Sequence, residues 1–147
     1  MKPSKLKEIE QSCTCFNLRK ATRAVTALFD EALAPSGLRG TQFTLLAALY
    51  QTGTATVTRL SQALVMDRTT LTRNLKPLQE QGWVRIVPGE DRRTRAMSLS
   101  PKGRQTFEKA VPLWEQAQKD VVASLGKGNW KGLMEHLHLT TERINPY

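Results

Sequence analysis

Between Asp67 and Gln81 the chain reads DRTTLTRNLKPLQEQ, with hydroxyls and cations set among leucines at helical spacing. At 100° per residue, Leu71, Leu75 and Leu78 fall within about 40° of one another. Thr69, Arg73 and Lys76 cluster on the opposite side, with Thr70 and Thr72 between them in sequence and Thr72 on the flank. Arg68 falls nearer the leucine side but is counted with Thr69, Thr70, Thr72, Arg73 and Lys76 among the candidate DNA contacts. No acid interrupts this polar face before Glu80, whereas a merely solvated helix mixes signs and pairs glutamate with lysine one turn apart. The face suits duplex DNA. Threonine meets a thymine methyl or a base edge, arginine grips guanine with a two-pronged hydrogen bond, and lysine neutralises phosphate. The plainer alternative is an ordinary solvated surface.

A second set of cations lies in PGEDRRT, Pro88 to Thr94. Arg92 and Arg93 stand at the tip of this loop and Arg95 just beyond it. All three are candidates for an adjacent narrow minor groove, where negative potential is enhanced. Asp91 is the exception among them. A carboxylate facing phosphate would be repelled, so its expected work is internal, holding an arginine by an ion pair.

Composition agrees with a polyanionic partner. The 147 residues carry 22 lysines and arginines against 13 acids, a formal charge of +9, and each phosphate neutralised releases condensed counterions. With 39% hydrophobic and 24% charged residues, the chain is rich enough in apolar side chains for a core. No apolar run approaches the roughly 18 residues of a membrane helix, and MKPSKLKEIEQ lacks a secretory apolar stretch. Two cysteines one residue apart do not make a secreted disulfide framework. The expectation is a soluble, cytoplasmic protein.

Several elements must position these side chains. From Lys5 to Leu33, apolar residues recur mostly every three or four positions, which predicts one long amphipathic helix fraying before Ser12. Ala34 to Gly40, with a proline and two glycines, closes it. Thr41 opens a short, apolar, buried helix that Gly53 stops. TATVTRLSQAL predicts a second short helix. Asp67 is a good N-cap for the third, and Gly82 supplies the positive φ of its C-terminal turn. WVRIV and RAMSL read as two strands of a hairpin with a charged tip. Ser100 and Pro101 start a long helix, which Pro112 should bend. After GKGN, a final helix turns Trp130, Leu133, Leu137 and Ile144 inward. The order is that of a mainly α, winged helix-turn-helix protein with a β-hairpin wing, flanked by long N- and C-terminal helices whose apolar faces exceed what the small central lobe covers.

LRGTQFTLLAAL, TVTRLSQAL, MDRTTLTRNLKPLQEQGWV and DRRTRAMSLSPKGR together resemble the MarR family of bacterial transcriptional regulators over nearly the whole chain. The resemblance implies a homodimer on a pseudo-palindromic, double-stranded DNA operator, commonly repressing nearby genes. It implies a DNA-binding lobe over about 41–100, with 5–36 and 101–147 as dimerisation helices. Asp91 and Arg93 match the acid and base of the family's wing, and Thr69, Thr70, Thr72 and Arg73 match its DNA-contacting helix.

The signal that such a regulator senses has two candidate receivers. Cys15, followed by Phe16-Asn17-Leu18, resembles the reactive cysteine of the family's organic-hydroperoxide-sensing branch, and Arg19 one turn on would stabilise a thiolate. That branch's thiol-binding tyrosines would align with Phe29 and residues 40–43, which contain no tyrosine. Cys13 and Cys15 project about 200° apart on one helix, which excludes a bond between them there. Cys13, on the apolar stripe, is then an inert packing residue. Alternatively, Phe16, Phe43 and Trp114 line a cleft for a small aromatic or apolar anion, with plain core packing as the competing explanation.

No enzyme signature is present. There is no Ser-His-acid set, phosphate-cradling glycine loop or H-E-x-x-H. C-x-C and the late His136 and His138 are poor chelating spacings on helices, because i,i+2 groups point apart. Neither a metal nor a cofactor is expected. The rival function is a winged-helix protein-interaction module that does not read DNA, which would leave the exposed cations without a role.

Overall fold

The computed structural model describes residues 3–91 and 93–146. Helices α1 (Pro3–Ser12) and α2 (Thr14–Leu33) are followed by a 3-10 turn, Ala34–Ser36, and then by α3 (Gly40–Thr52). Strand β1 (Thr54–Thr56), α4 (Val57–Ala63) and α5 (Arg68–Glu80) lead into the hairpin of β2 (Val84–Pro88) and β3 (Arg95–Leu99). Two helices complete the chain, α6 (Pro101–Leu125) and α7 (Lys127–Ile144). The sheet is antiparallel in the order β1-β3-β2, with Ala55 opposite Met97 and Ile86 also opposite Met97.

Two local expectations change. The single first helix is two helices, because Cys13 is extended (φ −72°, ψ 109°) between them. Polar side chains stabilise the break: Ser12 Oγ donates to Glu8 O at 2.6 Å, and Asn17 Nδ2 donates to both Glu10 O and Cys13 O at 3.0 Å. Such side-chain bonds compete with the helical ladder. Cys13 therefore sits at a joint and not on a continuous helical stripe, so the 200° argument does not describe its relation to Cys15. Secondly, Thr54–Thr56 is a strand, not the start of a helix. Its two β-branched threonines flank the buried Ala55 and add a third strand to the hairpin. As expected of one long helix, α6 runs from Pro101 to Leu125 with Pro112 inside it.

The core lies in the central lobe. Phe43, Leu46 and Leu49 of α3, Leu60 of α4, Leu71, Leu75 and Leu78 of α5, and Trp83, Val84 and Leu99 form one buried cluster, joined by Leu33, Leu38 and Ala110. Each helix thus gives the lobe its apolar stripe, which removes that surface from water. The outer helices behave differently. Neither α1 nor α7 buries a residue, and Leu6, Ile9, Phe16, Leu18, Val25, Leu125, Leu133 and Leu139 stand exposed. Leu133 and Ile144 are not turned inward within the subunit; Ile144 is 71% exposed. Within the subunit α1 packs mainly against α2, and α7 against α6.

Candidate nucleic-acid interface

The start of α5 is set by Asp67, whose backbone is extended and whose Oδ1 accepts the Thr70 N–H at 2.8 Å. This satisfies one of the orphan donors of the first turn. The carboxyl is held below the usual carboxylate range, first by a hydrogen bond from the Thr70 hydroxyl, then by its amide, with the Arg73 charge adding to them. The helix is held from below by Leu71, Leu75 and Leu78, all essentially inaccessible. At the far end, Gly82 has φ 70° and the Trp83 N–H reaches back to Leu78 O at 2.9 Å.

With that face pinned, the opposite one is open. Arg68, Thr69, Thr72, Arg73, Lys76 and Gln79 line one shallow concavity. Two placements differ from the helical-wheel reading. Arg68 is exposed and belongs to this surface, not to the leucine side; a long flexible side chain escapes the angle of its Cα. Thr70 does not line it. It is half-buried, and its Oγ1 accepts a 3.5 Å hydrogen bond from Arg73 Nη2, so it tethers the arginine. Gln79 is the residue that the sequence reading missed. It lies at the edge of the leucine sector, and its amide contacts Met97 Sδ at 3.8 Å. Only the neighbouring strand reveals that its position opens onto the cationic face.

The wing carries Arg93 and Arg95 exposed on either side of Thr94. Arg92 lies outside the described residues. Asp91 works internally, but through the backbone: its Oδ1 accepts the Arg93 N–H at 3.2 Å and its carbonyl accepts the Thr94 N–H at 2.8 Å. Gly89 N–H to Thr94 O at 2.8 Å closes the loop. Among the described residues no ion pair joins Asp91 to the side chain of Arg93 or Arg95, and Asp91 caps the turn instead, while a pairing with Arg92 lies outside the described residues. A short acid next to its partner in sequence reaches the amide more readily than the guanidinium.

The candidate receivers separate. Phe43 and Trp114 stack with ring centroids 6.0 Å apart and planes 12° from parallel, and Phe107 lies 5.0 Å from Phe43. Beside them is a cavity of about 230 Å³ whose walls include Val25, Phe29, Thr41 and Thr44. Phe16 is not among its lining residues: it is exposed at the start of α2 with Lys20 Nζ 5.5 Å above its ring. The register of α2 brings Phe29 to the cavity instead. Cys15 is exposed and Cys13 half-buried, both as free thiols. Among the described residues no group of three or more His, Cys, Asp or Glu is placed to hold a metal, and no helix is long and apolar enough to cross a membrane.

A helix-turn-helix whose second helix presents cations, followed by a hairpin and flanked by long helices, defines the winged helix-turn-helix class. Residues 36–94 match the MarR family model. The organic hydroperoxide resistance transcriptional regulator of Bacillus subtilis is 32% identical over 100 residues, covering 67% of this chain and 68% of that protein. The M. tuberculosis transcriptional regulator MosR, in a crystal structure with DNA, superposes with a TM-score of 0.82 at 37% identity over 90% of this chain and 96% of that one. A mutant MarR from E. coli in complex with operator DNA shares the fold, with a TM-score of 0.81 at 22% identity over 90% of this chain and 96% of that one. The chain belongs to the MarR family, and is a DNA-binding transcriptional regulator of that type.

Proposed function

We propose that this regulator acts in the cytoplasm as a homodimeric repressor on a pseudo-palindromic operator and leaves DNA when a small effector binds or a thiol is oxidised. The observation that carries the reading is the open surface of Arg68, Thr69, Thr72, Arg73, Lys76 and Gln79 on a helix pinned by three buried leucines. Arg73 and the threonines read base edges, Arg68 and Lys76 hold phosphates, and Arg92, Arg93 and Arg95 approach the neighbouring minor groove. The lobe over about 41–100 is the DNA-binding part, and 5–36 with 101–147 form the dimer. The exposed apolar residues of α1, α2, α6 and α7 support that division, since a second copy would cover them.

Two-fold pairing places the half-sites about 10–10.5 base pairs apart, centre to centre, or a multiple of that. The cavity beside Phe43 and Trp114, walled by apolar and threonine side chains, suits a small aromatic molecule, and exposed Cys15 suits an oxidant. The decisive measurement is binding of the full chain to fragments of its own genome as salt rises. A preferred palindrome with steep salt dependence is the expected result. Absence of binding at low salt would favour a winged-helix protein-interaction module instead.

A further inference from the structure

Two residues at the start of α6 break local rules. Lys102 puts a cation in the first turn, where the helix dipole disfavours it, and Gly103, next to it, is a poor helix former. Both choices make sense only against the end of α5. Lys102 Nζ donates to Gln81 O at 2.8 Å, at a helix C-terminus, where a cation is favoured. Ser100 Oγ donates to Gly82 O at 2.6 Å while accepting the Gly103 N–H at 2.9 Å, and Ser100 N–H donates to Trp83 O at 2.9 Å. Three consecutive carbonyls, Gln81, Gly82 and Trp83, are thus each taken by the beginning of α6. Gly103 is buried against them, and a Cβ there would collide with the Trp83 carbonyl.

We infer that Ser100, Lys102 and Gly103 form a clasp that makes the DNA-reading helix and α6 one rigid lever, so that Ser100 and Lys102 are positioning residues for half-site spacing. This rests on the dimeric, DNA-reading assignment above. If α6 belongs to the dimer and α5 to the groove, the angle between them fixes how far apart the two reading helices lie. Three bonds and a backbone contact at one end of α5 hold that angle. A single weakened bond there lets the reading helix swing without disturbing the leucines beneath it.

The test uses the full chain. Wild-type protein selects its preferred site from random duplexes, and affinities are then measured for that site with one base pair inserted or deleted between the half-sites. Wild type is expected to lose at least about tenfold on either change, the scale of one mismatched base pair. Lys102→Ala, which removes an exposed side chain and leaves the N-cap intact, should lose less than about threefold, on the same scale. Ser100→Ala should behave likewise, and Ser100→Thr should restore the wild-type ratio. A Lys102→Ala protein that keeps the wild-type spacing ratio while binding every duplex more weakly, with a shallower salt slope, overturns the clasp and makes Lys102 a phosphate contact. Failure of the wild-type chain to bind any duplex would strike the regulator assignment and the clasp with it. A wild-type spacing preference that the variants share unchanged strikes the clasp alone.

Discussion

The amide of Thr70 donates to Asp67 Oδ1 at 2.8 Å, and the Thr70 hydroxyl accepts from Arg73 Nη2 at 3.5 Å. The residue that opens the reading helix is therefore linked to the cation on its outer surface. Because hydrogen bonds from Thr70 depress the Asp67 pKa, its contribution to stability is present above the ordinary carboxylate pKa and is lost as pH falls through the lowered value. Asp67→Asn should accordingly melt below wild type at neutral pH, with the gap closing in strong acid. A gap that stays constant down to acid pH would show that the carboxylate charge contributes nothing to the cap.

Arg73 and Lys76 share the concave surface of α5 but are expected to fail differently. Arg73→Ala should cost about 1–3 kcal/mol on the preferred operator and flatten base preference at one position of each half-site. Lys76→Ala should weaken all sequences alike and reduce the salt slope by about one unit per site contacted. Binding isotherms over a range of salt, on the operator and on a scrambled duplex, separate the two. Identical behaviour of the variants would refute the division into base reader and phosphate contact.

Much of this arrangement was legible in residue spacing. Leucines at intervals of four and three set the buried face of α5, Asp67 and Gly82 bracket it, and Ser100-Pro101 starts α6. What escaped depended on contacts distant in sequence. Asp30 Oδ1 accepts the Gly40 N–H at 2.7 Å, ten residues on, and so opens α3 one residue before Thr41. Thr54–Thr56 is too short to show a strand period and becomes one only by pairing with β3. Phe16 matched the apolar rhythm of its helix, yet lies on α2 well before the turns that reach the cavity, where Val25, Thr26 and Phe29 do the lining. Helical spacing identifies a face, not the neighbour that meets it.

Trp114 offers a direct report on that cavity. An aromatic carboxylate such as benzoate that enters beside Phe43 should change tryptophan emission and weaken operator binding in the same concentration range. Trp114→Phe should keep the second effect and lose most of the first, leaving Trp83 and Trp130 as spectators. Emission changes that persist in that variant would place the ligand elsewhere.

Exposed Cys15 and half-buried Cys13 differ in access, so a thiol reagent should label Cys15 first. Cys15→Ser should then remove any release from DNA by an organic hydroperoxide. Undiminished release in that protein would end the case for Cys15 as the sensor.

Gly82 isolates the backbone requirement at the end of the reading helix. Its φ of 70° lies in the left-handed region, and an added Cβ would meet nothing within 4 Å. Gly82→Ala therefore tests conformation without steric collision. It should destabilise the protein by about 1 kcal/mol, seen as a lower urea midpoint at unchanged slope. Gly82→Asn, whose side chain tolerates this region, should recover part of that loss. The Gly82 carbonyl accepts from Ser100 Oγ, so a chain that shifted to relieve the alanine would also weaken that bond, and DNA affinity should fall along with stability. An alanine variant as stable as wild type would mean that the turn has another conformation open to it, and that the left-handed residue does not fix where the reading helix ends.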